Sequence, residues 1–78
     1  MQKIKLMWDF NGLDSLKTAQ HFNIHLDEFL VKEDLPFHTI GLDSINDYHN
    51  IAFLIINKQH VDKIKHALKP QRAFLINK

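Results

Sequence analysis

The side chains with the most chemistry to offer in this sequence are histidines. Six occur among 78 residues, and His21 and His25 stand four apart in the stretch Thr18-Ala19-Gln20-His21-Phe22-Asn23-Ile24-His25-Leu26-Asp27-Glu28. On a helix that spacing stacks two imidazoles on one face, so both rings can reach a single metal ion. Glu28, three residues beyond His25, leans to the same side, and Thr18 and Asp14 carry the stripe back toward the helix start. His49, beside Tyr48, is the candidate third ligand, with His38 as its competitor and a second subunit as another source of either. A divalent transition metal is the cofactor such a set implies. The zinc-protease pattern puts a glutamate directly after the first histidine to act as base, and Phe22 occupies that position here, which removes protease chemistry. The plainer alternative is that His21 and His25 are boundary histidines bonded to neighbours or water. His60 and His66 are six apart and share no helix face.

Asp9 is the other polar residue of interest, because it closes an apolar stretch just before Asn11-Gly12. A carboxylate at that place can serve as a base, contact a ligand or cap the following helix. With Thr18 and Tyr48 it forms the candidate small-molecule contacts. No serine, threonine or lysine sits in a recognisable nucleophile arrangement, and the two glycines, Gly12 and Gly41, cannot build a phosphate-cradling loop. Kinase, NTPase and dinucleotide chemistry are disfavoured on that ground.

The elements that must hold these residues follow from periodicity. Lys3 to Phe10 alternates, with Ile4, Leu6, Trp8 and Phe10 on one side and Lys3, Lys5, Met7 and Asp9 on the other, which predicts a strand. Trp8 belongs to the core, where its indole N–H needs a partner. From about Leu13 to Lys32 the period becomes helical, placing Leu16, Ala19, Phe22, Leu26, Phe29 and Leu30 on one arc, with Asp14 or Ser15 as cap. Pro36 lies beyond that helix and cannot extend it. Phe37 to Leu42 predicts a second strand, Asp43 to Asn50 a loop of several residues, and Ile51 to Ile56 a third strand. Val61, Ile64 and Leu68 then recur at helical spacing between about Gln59 and Lys69, before Pro70 and a last strand from Ala73 to Ile76.

Strand, helix, strand, strand, helix, strand, joined by short connections, predicts an α+β fold: a ferredoxin-like βαββαβ plait over residues 1–78 as one domain. Its four-stranded antiparallel sheet carries both helices on one face. That fold hosts many unrelated activities, so function has to be read from sites.

The sheet itself implies a partner. Helices cover one face, yet Ile51-Ala52-Phe53-Leu54-Ile55-Ile56 is apolar at every position, and Met7 and one parity of Phe74 and Leu75 add to whatever the helices leave open. The expectation is a homodimer with two sheets packed back to back through the open face. The competing expectation is that the stems of Lys3 and Lys5 cover that face within one chain.

Bulk properties exclude several classes. Ten Lys and Arg against nine Asp and Glu give a formal charge of +1, too little to select nucleic acid or an anionic membrane. The third strand also lacks the glycine, basic residue and alternate aromatics with which RNA-binding plaits stack bases. Without cysteine there is no disulfide, thiolate metal site or iron–sulfur electron carrier. Lys3, Lys5 and Asp9 interrupt the N-terminal apolar stretch, so no secretory leader is expected and the cytoplasm is the default. Taken together, these features suggest a homodimeric ligand-binding or regulatory module with a site around the first helix. The rival is a small metal-dependent enzyme using His21 and His25.

Overall fold

A computed structural model describes residues 2–76. Strand β1 (Lys3–Asn11) leads into helix α1 (Ser15–Lys32), strands β2 (Thr39–Asn46) and β3 (His49–Asn57), a 3-10 turn at Lys58–His60, helix α2 (Val61–Leu68) and strand β4 (Arg72–Ile76). The sheet order is β2-β3-β1-β4 with every neighbouring pair antiparallel, which is the order of the ferredoxin-like plait.

Alternation in β1 and β3 sorts the sheet into two faces. Leu6 and Trp8 of β1 stand opposite Leu54 and Ala52 of β3, and together with Ile56 they bury against Ala19, Leu26 and Leu30 of α1 and Val61 and Ile64 of α2. Both helices therefore share one face. The Trp8 indole donates to the Leu68 carbonyl at 2.9 Å, tying the end of α2 to the middle of β1 and giving the buried N–H its partner. Helix α1 ends at Glu33, followed by Asp34 with φ of 55°, and α2 ends on Lys69 with φ of 48° just ahead of Pro70. Both are left-handed closures that a proline soon after makes final.

Two local expectations need correction. Strands β2 and β3 run on to Asn46 and back from His49, so the hairpin turn is only Asp47-Tyr48 instead of a loop from Asp43 to Asn50. Turn-forming residues are absorbed because the Asn46 side chain accepts the Tyr48 N–H at 2.8 Å, the ladder shifts register between Ser44 and Asn46, and Asp43 meets a cross-strand lysine. Leu16 is exposed, whereas Ser15 is buried: the start of α1 turns Ser15 toward the sheet, where its hydroxyl accepts from the buried Asn50 amide at 2.8 Å.

The face away from the helices carries Lys3, Lys5, Met7 and Asp9 of β1, His49, Ile51, Phe53 and Ile55 of β3, and Arg72, Phe74 and Ile76 of β4. Part of it is already covered from within. Lys5 reaches diagonally over the Phe53 ring, 4.3 Å from its centre, to meet Asp43 at 3.1 Å. Met7 and Ile51, on the same face, are only 8% and 3% exposed. Such a half-exposed pair adds about 0–1 kcal/mol, so its larger effect is to lay an aliphatic stem over apolar strand residues. Phe74 stays 51% exposed on the same face, and Leu75, with the opposite parity, is 54% exposed.

Candidate functional site

Two polar clusters form on opposite sides of the molecule. The first is the α1 stripe. Helical spacing sets the His21 and His25 rings edge to face with centroids 4.5 Å apart and their Nε2 atoms 2.9 Å apart. The other edge of the His25 ring is engaged as well, with Nδ1 3.1 Å from Glu28 Oε1. A carboxylate can only accept, so His25 Nδ1 carries the hydrogen, the lone pair of the neutral ring lies on Nε2, and His21 Nε2 donates to it. All three side chains are well exposed.

The second cluster lies on the open sheet face, at the end where β1 runs out. His49 Nε2 donates to Asp9 Oδ1 at 3.0 Å, and Arg72 Nη2 donates to the same oxygen at 2.5 Å. Antiparallel pairing sets this up. Asp9 stands opposite Ile51, one alternate position from His49, and Arg72 enters from β4 opposite Met7. Gln71 adds its side-chain oxygen as acceptor for the Asp9 backbone N–H. Partial burial raises the Asp9 pKa, but the hydrogen bonds and charges of His49 and Arg72 outweigh it and hold the carboxyl below its ordinary value.

The sequence-derived site residues thus separate. His49 belongs with Asp9 on the open face and is not brought to the His21–His25 pair, which lies on a helix packed against the other side of the sheet. Glu28 is brought to the pair, yet it meets His25 from the Nδ1 edge and so shares no common point with the two Nε2 atoms. Among the described residues no group of three His, Cys, Asp or Glu side chains is placed to hold one metal ion. His38 is bonded to Asn57 at the far end of the sheet. Tyr48 is exposed in the hairpin turn, where its carbonyl accepts the Gly12 N–H at 2.8 Å, and Thr18 is exposed on α1, so neither joins Asp9. Asp9 does not cap α1, and Asp14 at the cap position makes no side-chain capping bond.

Arg72 went unnoticed in the sequence because a lone arginine before a short strand carries no pattern. Strand parity is a signal for Asp9, on the side opposite Trp8, but His49 joins that side only because β3 starts at His49, inside the stretch the sequence predicts as a loop. Open hollows lie elsewhere on the described surface. One of about 410 Å³ is lined by Gln2, Asn57, Lys58, Gln59 and Asp62, and one of about 520 Å³ by Leu30, Val31, Asp34, Leu35, Pro36 and Phe37. Neither borders the two clusters.

Comparison with known proteins adds no relative: no family model, no curated protein and no solved structure matches the chain. Among the described residues no helix is long and apolar enough to cross a membrane.

Proposed function

We propose that the chain is a homodimeric ligand-binding or regulatory module whose subunits meet through the open sheet face. The observation that carries this reading is the uneven cover of that face. Met7 and Ile51 are buried on this face, while Phe74, half exposed on the edge strand, stands in the same cross-strand row as the half-buried Ile55. A large aromatic left half in water beside further apolar side chains is better accommodated against another surface. A second copy supplies a face of the same character, so one two-fold contact satisfies both subunits.

The ligand end of the reading rests on the Asp9 cluster. Asp9 anchors His49 and Arg72, and the Arg72 guanidinium has further N–H donors for a small acidic group at the border of the apolar patch. Size-exclusion chromatography with light scattering tests the assembly. The wild type elutes at twice the 9.2 kDa chain mass, and Phe74→Asp elutes as a folded single chain. A wild type that stays a single chain throughout the micromolar range overturns the reading.

A further inference from the structure

We propose that His21 and His25 form a two-nitrogen chelate for a divalent transition-metal ion, with Glu28 as the group that orients His25 instead of a third ligand. Three observations meet here. The two Nε2 atoms are 2.9 Å apart, on side chains held by one helix. Glu28 occupies Nδ1 of His25, which fixes the tautomer that leaves Nε2 with its lone pair. A carboxylate behind a histidine in this way is the usual outer partner of a metal-bound imidazole.

The separation also selects among metals. With metal–nitrogen bonds of about 2.0–2.1 Å, nitrogens 2.9 Å apart subtend roughly 90° at the ion. That is the cis angle of square-planar and octahedral sites, whereas a tetrahedral zinc site needs the pair to open by about 0.4 Å. Geometry and the general affinity order therefore agree on copper(II), then nickel(II), ahead of zinc. Loading requires the two rings to turn until both Nε2 atoms face one ion, and one proton shift. The hydrogen that His21 Nε2 donates to His25 moves to the exposed Nδ1 of His21 through solvent, so the ring stays neutral and presents its own lone pair. With two protein ligands, the remaining positions stay open to water or to an acidic group of a ligand. This site lies across the sheet from Asp9 and His49, so its proposal stands apart from the dimer reading.

The test is metal binding by tag-free protein, using copper(II), nickel(II) and zinc(II) salts alone, by titration calorimetry against a competing chelator. One equivalent binds, tightest for copper. His21→Ala and His25→Ala each weaken binding by about a hundredfold or more, well beyond the loss in Glu28→Gln, since one monodentate imidazole remains. Glu28→Gln weakens it by about tenfold, the lower end for an outer-shell partner because the group is exposed. His49→Ala leaves it unchanged. His21, His25 and Glu28 are on the surface, and circular dichroism checks that each variant, His49→Ala included, is folded. Binding that survives His21→Ala, or that falls equally in His49→Ala, overturns the chelate. A Glu28→Gln variant with wild-type affinity overturns the role given to Glu28, and one as weak as His25→Ala makes Glu28 a ligand.

Discussion

Removing the Ser15 hydroxyl should be felt throughout the molecule, because this small group joins the first turn of α1 to the start of β3. Ser15 and Asn50 are 3% and 1% exposed, and the Asn50 amide nitrogen donates to Ser15 Oγ at 2.8 Å. Asn50 Oδ1 has no partner at all. The Ser15→Ala substitution therefore leaves both ends of a buried amide unpaired in a place that water does not reach. An unsatisfied buried donor costs about 1–3 kcal/mol, more than the net worth of the hydrogen bond itself. For a domain of this length, each kcal/mol moves the melting temperature by about 4–8 °C. Asn50→Ala should cost a similar amount, and the double variant should cost less than the two singles together by roughly 1 kcal/mol, since the second substitution removes a group the first had already stranded. Urea denaturation of the four proteins, followed by circular dichroism, gives the cycle. Strictly additive effects, or a Ser15→Ala cost below about 0.5 kcal/mol, would show that the pair does not hold the helix to the sheet.

Further outcomes follow from the same contacts. Asp9 and Glu33 both have folded pKa values below their ordinary ones, Asp9 because the bonds from His49 and Arg72 outweigh its burial and Glu33 because Lys63 bonds and attracts it at 2.9 Å. A lowered folded pKa contributes stability that is complete above the unfolded value, near pH 4, and is lost as pH falls below it through the folded value. Denaturation midpoints from pH 6 to pH 2 should drop through that window, and the Asp9→Asn variant should show a shallower fall; an equal slope in both proteins would contradict the assignment. Gly41→Ala places a Cβ against the Phe53 ring, colliding at Cζ and standing 2.8 Å from Cε2, so it should destabilise by about 1–3 kcal/mol. In a Phe53→Ala background the same substitution should cost far less, and an undiminished cost would mean the strain lies elsewhere.

The fold was legible because its signals are local. Alternation over Lys3–Phe10, helical spacing from Leu13 to Leu30 and the stops at Asn11-Gly12, Pro36 and Pro70 each mark an element that neighbouring residues decide. The hairpin turn is shorter than the sequence predicts because Asp43 belongs to β2, where strand pairing gives it Lys5 as partner, while Asn46 forms the turn locally by accepting the Tyr48 N–H. The histidine pair was visible for the same local reason as the helix, a spacing of four. The Asp9–His49–Arg72 cluster joins residues 40 and 63 positions apart, and only strand order and register bring them together. Glu28 shows the remaining gap: spacing put it beside His25, but which ring nitrogen it meets is a matter of rotamers that a sequence does not display.

The contact between subunits can be observed directly by mixing isotope-labelled and unlabelled protein and recording only nuclear Overhauser effects that pass from one chain to the other. Cross-chain signals should link the Phe74 ring with the methyl groups of Ile55 and Ile76, the residues that share its side of the sheet. Signals confined to α1 or α2, or none from Phe74 in a sample that is dimeric, would contradict the assignment of the open sheet face as the meeting surface.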